Sequence, residues 1–309
     1  MKTEKFIYKS HNGEHNIAAG LIYNENKNIK GVVQITHGMK EYFFRYREFA
    51  EFLVNNGYVV CGNDHVGHGD SLSGESGFMG QGDTCETMVR DMRTLFKIVK
   101  NRFPAAPYYI MGHSMGSHVA RIYASKWAYE INGLMLSGSG DQDFFGRLMY
   151  KGSVSFCNLA IGLLGNDRKI KALETMIFKS FWRKFEPIMN KATWQTGDEA
   201  EAQAFVDDPK SDFYFTLGGY KAATDAIAKT SAPKWAKTLP KTMPVLIFSG
   251  DMDPAGNFGK GVKLLKDRLV KAGVENVTLN LYEGGRHEML HEICREEVYG
   301  DILSWMKNN

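Results

Sequence analysis

Gly112-His113-Ser114-Met115-Gly116 is the stretch of this chain whose residue types and spacing point most directly to chemistry. A serine between two glycines, directly after the strand-like run YYIM and before a helical pattern, fits a strained strand-to-helix turn that pushes a hydroxyl outward. The helix N-terminus behind it favours developing negative charge. The competing reading is a serine that caps a helix after a tight glycine turn. A serine hydroxyl is a weak nucleophile, so it needs a base, and the base needs an orienting acid. In this architecture the three follow in the chain order serine, acid, histidine. Downstream of the central segment only His287 and His291 remain. His287 follows the run VTLNLY and the turn Glu283-Gly284-Gly285-Arg286, which puts it at a strand's carboxyl end, where catalytic groups collect in open α/β sheets. His291, four residues on, reads as an exposed or cap-facing helix residue. The acid belongs after VLIFSG, where Asp251 and Asp253 compete on nearly even terms; one of them can serve the turn's backbone donors instead.

Such a site also needs donors for an oxyanion. The backbone N–H of Met115 is one, and Met39, in the loop Thr36-His37-Gly38-Met39 after the run VVQI, supplies the other. His37 reads as a support for that loop. The loop Asp64–Ser71 carries His65 and His68 at a spacing that invites a metal, but glycine-rich scaffolding accounts for it better. His287–His291 also spells HExxH, a zinc-protease pattern when it lies on a helix. The preceding glycine pair places His287 in a turn, and the serine chemistry leaves the glutamate idle. We therefore expect no metal and no organic cofactor.

These groups must be held by strands. Runs at Lys5–Tyr8 and His15–Tyr23, around the hairpin signal Asn12-Gly13, are followed by Gly31–Ile35, Tyr58–Asn63, Tyr108–Met111, Gly133–Leu136, Val245–Ser249 and Val277–Tyr282. Helical patterns at Arg45–Asn56, Thr84–Phe103, Ser117–Tyr129, Lys260–Ala272 and Glu292–Lys307 alternate with them. The pattern predicts an α/β fold with a mostly parallel sheet of about eight strands. Residues 141–243 break the alternation. They carry helical patterns at Lys169–Phe185, Asp198–Val206 and Gly219–Lys229, with Ile170, Leu173, Ile177 and Phe181 on one face of the first. The expected organisation is a core of residues 1–140 and 244–309 with a helical cap, 141–243, between its halves.

Over 309 residues, 43% hydrophobic and 24% charged residues fit a soluble globular protein. A net charge of +3 is too small to imply a nucleic-acid partner. The beginning of the chain lacks a secretory signal's apolar stretch. The longest weakly apolar run, Ser153–Gly165, is well short of the ~20 residues that span a bilayer. The four cysteines show no CxxC spacing, and a cytoplasmic setting is expected.

THGMKEYFFRY, NDHVGHGDS, GHSMG and YEGGRH, in this order and spacing, resemble the monoacylglycerol lipase and lysophospholipase branch of the α/β-hydrolase superfamily. The resemblance covers roughly residues 20–140 and 240–309 and is weak through the insertion. It implies an acid three positions after the strand-end glycine, hence Asp253, and an oxyanion loop matching at His37, Gly38, Glu41 and Arg45. The match departs at Lys40 and Tyr42, where the family more commonly has glycine and histidine, and at Ser117, where it has glycine. The function implied is hydrolysis of small-molecule acyl esters by Ser114, His287 and Asp253 through an acyl-enzyme. The runner-up is an amide or peptide bond; a zinc hydrolase and a non-catalytic binding module are weaker. The cap's apolar residues are Phe144, Phe145, Leu148, Met149, Phe156, Leu159, Leu163, Leu164, Met176, Phe178, Phe181, Trp182 and Phe185. Phe178 and Trp182 are its candidates for acyl-chain contact. The basic residues around them, Lys169 to Lys184, could rest on an anionic lipid surface.

Overall fold

Every β-branched or aromatic run named above becomes a strand in the computed structural model, which describes residues 1–72, 74–185, 190–232 and 234–309. The side chains of residues 173, 176 and 177 also lie outside the described part, so the expected roles of Leu173, Met176 and Ile177 are not addressed. The strands are β1 (Lys2–Lys9), β2 (Asn16–Tyr23), β3 (Gly31–Thr36), β4 (Tyr58–Asn63), β5 (Tyr108–His113), β6 (Gly133–Ser137), β7 (Val245–Gly250) and β8 (Val277–Tyr282). They form one sheet in the order β1-β2-β4-β3-β5-β6-β7-β8. β1 pairs with β2 and β2 with β4 antiparallel; every later pairing is parallel.

Strand periodicity sorts the core into two layers. Val32, Ile110, Leu134, Leu136, Val245 and Ile247 face one side; Val33, Met111, Met135, Leu246 and Phe248 face the other. The first side is covered by α2 (Thr84–Arg102), α3 (Met115–Trp127) and α8 (Lys260–Lys271), the second by α1 (Arg47–Asn55) and α9 (Arg295–Asn308). A sheet buried on both faces explains why β3 to β7 are continuous apolar runs and do not alternate with polar residues.

Between β6 and β7 the chain leaves the sheet for α4 (Phe144–Leu164), α5 (Lys171–Trp182), α6 (Glu199–Asp207) and α7 (Leu217–Thr230). α7 is seated on α3 and α2 through Tyr220, Ala222, Ala223 and Ala226, and α4 lies along α7. The 21-residue α4 was not among the sequence-predicted helices. Its Gly146, Gly152 and Gly162 lower helix propensity, so the backbone depends on the Asp143 cap, which accepts from Gly146 N–H at 2.8 Å, and on α7 beside it. Among the described residues no helix is long and apolar enough to cross a membrane.

Candidate active site

Ser114 sits between β5 and α3 with φ +50° and ψ −119°, a left-handed conformation that lifts its side chain off the sheet's carboxyl edge. Close packing explains the glycine that follows two residues later: a Cβ on Gly116 would come 2.2 Å from Thr36 O and 2.4 Å from His37 O. Ser114 occupies the helix N-cap position, yet its side chain makes no capping bond. Its Oγ lies 2.8 Å from His287 Nε2, and His287 Nδ1 lies 2.9 Å from Asp253 Oδ2.

Asp253 is fully buried after β7 and also accepts from Ala255 N–H at 2.8 Å and from the Ser249 hydroxyl at 3.2 Å. Burial opposes its charge, but the adjacent imidazole and the backbone N–H groups of Ala255 and Gly256 leave its pKa lowered. An ionised Asp253 only accepts, so His287 carries its proton on Nδ1 and offers Nε2 to the Ser114 hydroxyl. Burial opposes a charge on His287 as well, yet Asp253 outweighs it and the pKa is raised. Asp251 behaves as the turn residue of the pair: its Oδ1 accepts from Gly284 N–H at 2.8 Å.

The Gly38–Met39 backbone passes beside Ser114; a Cβ on Gly38 would lie 3.0 Å from Ser114 Cβ. Met115 opens α3, so its N–H is among those left without an intrahelical partner. His37 is held in place, since its Nε2 accepts from His65 N–H at 2.9 Å and its Nδ1 donates to Gly38 O at 2.8 Å. Burial pushes His65 and His68 down to about 3 and about 4, so both are neutral. Asp64 organises the neighbouring loop, accepting from Phe43 N–H and Asp70 N–H at 2.8 and 2.7 Å.

Beneath the triad runs a buried charge network. Arg45 forks onto Glu288 at 3.2 and 3.0 Å and reaches Glu41 at 3.5 Å. Glu41 accepts from the Gly38 N–H and, at 3.0 Å, from the Tyr46 hydroxyl. Glu288 takes the direct fork and stays ionised, while burial and the Glu288 charge push Glu41 up to about 7. The network ties the loop after β3 to the loop carrying His287.

Sequence reasoning placed His291 wrongly. It is buried in a one-turn helix, Met289–His291, with Nδ1 at 3.3 Å from Glu288 and Nε2 at 3.1 Å from Arg45 O. In the HExxH stretch His287 lies in a loop and both histidines have both ring nitrogens engaged, so the pair offers no ligand fork.

Two contributors were missed. Trp194, 5% exposed, sets its ring 4.9 Å from that of His287. Thr193, Thr196 and Gly197 hold its segment, bonding to Arg286, His291 and Glu292. Gly138, after β6, has φ +54°, and a Cβ there would lie 2.9 Å from His287 Cε1. Phe178 stacks on Trp194 at 5.9 Å, and Phe181 lies 5.0 Å from the same ring. Trp182 is half-buried in the last turn of α5, and the described ring contacts run past it.

Residues 27–293 match the family described as serine aminopeptidase, S33. A monoacylglycerol lipase of Mycolicibacterium smegmatis is 27% identical over 285 residues, covering 92% of this chain and 91% of that protein. Human monoglyceride lipase is 25% identical over 280 residues, covering 90% and 82%. Among solved structures, a thermostable carboxyl esterase from Bacillus coagulans in complex with glycerol superposes with a TM-score of 0.92 at 27% identity, over 100% of this chain and 99% of that one. With a family match across most of its length and an eight-stranded sheet to carry it, the chain belongs to the serine aminopeptidase, S33, family of α/β-hydrolases, in the branch that resembles monoacylglycerol lipases.

Proposed function

We propose that the protein is a serine hydrolase of carboxylic esters, acting on monoacylglycerol or lysophospholipid-type acyl esters, with Ser114, His287 and Asp253 as its triad. The observation that carries the reading is the continuous relay from Ser114 Oγ to His287 to Asp253, at 2.8 and 2.9 Å. His287 Nε2 takes the Ser114 proton as Oγ attacks the ester carbonyl, and Asp253 holds the resulting imidazolium. Met39 and Met115 N–H groups receive the tetrahedral oxyanion. His287 then protonates the leaving alkoxide, and water repeats the cycle on the acyl-enzyme. The sequence of steps needs no cofactor.

The same triad can cut amides, and the family's description names an aminopeptidase. An aminopeptidase needs a free carboxylate for the substrate's amine. Among the described residues the carboxylates beside this site are spoken for: Glu41 and Glu288 share Arg45, and Glu174 pairs with Lys40 at 2.7 Å. That favours the ester. An acyl chain gains ~0.8 kcal/mol per buried methylene, and Trp194 beside His287, with Phe178 stacked on it, is an apolar surface at the triad.

For a lipid-surface contact, α4 offers more apolar area than the basic residues flanking α5, of which Lys169 and Lys171 are engaged within the protein. Lys169 pairs with Glu75 at 3.5 Å, and Lys171 stands over the Tyr214 ring. On α4, Phe145, Leu148, Met149, Phe156, Leu159 and Leu163 are all exposed. Burying one such side chain yields about 1.5–3 kcal/mol, so seating two or three in a lipid surface is enough for reversible attachment. The cytoplasmic setting rests on the unpaired state of all four cysteines.

A hydrolysis panel across acyl lengths, with and without glycerol as the leaving group, tests the reading. Efficiency should climb with chain length until the pocket fills, and Phe178→Ala or Trp182→Ala should lower it more for long esters than for acetate. Ser114→Ala should keep the fold and lose ester turnover and fluorophosphonate labelling. Labelling of that variant at the wild-type rate would contradict the triad; a flat length profile would contradict the acyl pocket.

A further inference from the structure

Lys40 follows Met39 directly and has φ +62°, backbone that residues other than glycine rarely adopt. Its ammonium is not a surface charge. The side chain is 12% exposed and Nζ lies 2.7 Å from Glu174 Oε1, on α5 of the insertion. Glu174 is itself buried, and its Oε2 accepts from the Tyr220 hydroxyl at 2.6 Å and Phe215 N–H at 3.2 Å. Two residues along the same loop, the Tyr42 hydroxyl donates to Asp208 Oδ2 at 2.8 Å, just past α6. The loop that carries one oxyanion donor is thus fastened to the insertion twice, across sequence separations of 134 and 166 residues.

Glycine would adopt φ +62° without strain, so what a lysine adds at this position is the link. Inside the loop, Glu41 already accepts the Gly38 N–H. Met39 lies between that anchor and Lys40, so its N–H is fixed from both sides. The far end of the link matters equally. Glu174 and Phe178 are four residues apart, one turn along the same helix face. Glu174 meets the oxyanion loop, while Phe178 meets Trp194 and through it His287.

We propose that Lys40 is a positioning residue for the oxyanion donor: its ion pair with Glu174 ties the Met39 N–H to α5, so that the helix offered to the acyl chain also holds the group that stabilises the tetrahedral oxyanion. The inference rests on Ser114 and Met39 acting as proposed above. Lys40→Gly is the informative variant, because it removes the link while giving the backbone a residue suited to its φ. Glu174 keeps two donors in that variant, which preserves the fold. Glu174→Gln breaks the charge pair from the other side, and Lys40→Arg keeps a cation opposite Glu174.

Activity is measured on p-nitrophenyl acetate, per active site titrated with a fluorophosphonate. Lys40→Gly and Glu174→Gln should each lower kcat about tenfold, part of the ~10²–10³ that losing an oxyanion donor outright costs. KM should stay within about twofold, because the donor acts on the transition state and not on the bound ester. A trifluoromethyl ketone, which forms the tetrahedral adduct on serine, should bind about tenfold more weakly. The double variant should lose no more than either single one, and Lys40→Arg should keep most of the wild-type rate. Unchanged kcat and unchanged ketone affinity, with only the melting temperature lowered, would overturn the proposal and make the pair a purely structural tie. Failure of the underlying serine chemistry would look different: the unsubstituted protein would not label at Ser114 at all.

Discussion

Around His287 each neighbour fixes another. Asp253 holds one ring nitrogen and Ser114 meets the other, the rings of Trp194 and His113 lie 4.9 Å away, and Gly138 leaves room for its edge. Along the outer face of α4, by contrast, Phe145 and Leu163 stand 75% and 76% exposed, and among the described residues the helix's broad support is α7. Both regions depend on the insertion, which supplies α4 to one and Trp194 to the other. One is a set of fixed distances, as transition-state stabilisation requires; the other is apolar area awaiting something to cover it. On the proposed reading, reaction chemistry and substrate acquisition fall on parts of the fold that tolerate change very differently.

The comparison is sharpest at the two aspartates after β7. Asp253→Asn should cost roughly 10⁴-fold in kcat, because a neutral amide favours the wrong histidine tautomer. Asp251→Asn should cost less than about tenfold, since it loosens one turn and leaves the reacting atoms in place. Reversed effects would identify Asp251 as the acid. Next comes Gly138→Ala, whose methyl would press on His287 Cε1; a misplaced base costs about a hundredfold, read as kcat on a soluble ester with the protein still folded.

The pH profile checks the same ring. Proton uptake from Ser114 needs neutral His287, so kcat/KM rises with pH through the His287 pKa. Because Asp253 raises that pKa, the wild-type midpoint should lie above the ordinary value of ~6.5. In Asp253→Asn the Asp253 charge is removed and burial is opposed only by the Glu288 and Glu41 charges, so the residual activity should rise at lower pH. An unmoved midpoint would mean that Asp253 does not govern the histidine.

The smallest effect belongs to α4. Leu159→Glu with Leu163→Glu should leave p-nitrophenyl acetate turnover within about twofold and lower turnover of monoacylglycerol presented in anionic vesicles about tenfold, as two apolar contacts are lost. Equal losses on both substrates would make the α4 face part of the folded core.

What could be read without coordinates follows from how local each signal is. The strands were legible because each is a short run bounded by turns, and Ser114 because its glycines, strand and helix are contiguous. The choice of Asp253 over Asp251 came from family spacing, since two aspartates one residue apart look alike until the Gly284 N–H is seen to take the first. Trp194 and Gly138 gave no local sign: their meaning is a contact with His287, 93 and 149 positions along the chain. The burial of His291 gave no local sign, because one of its ring partners is Arg45 O, 246 positions away. α4 was hidden by its glycines, and the Lys40–Glu174 link by its length.

The central claim is that Ser114 forms an acyl-enzyme. Mixing the protein with p-nitrophenyl butyrate, quenching within the first turnover and mapping the peptides by mass spectrometry tests it directly. A burst of nitrophenol approaching one per protein, with a butyryl group on the peptide containing Ser114 and none in Ser114→Ala, is the predicted result. Turnover without a burst, or a butyryl group carried on any other residue, would contradict it.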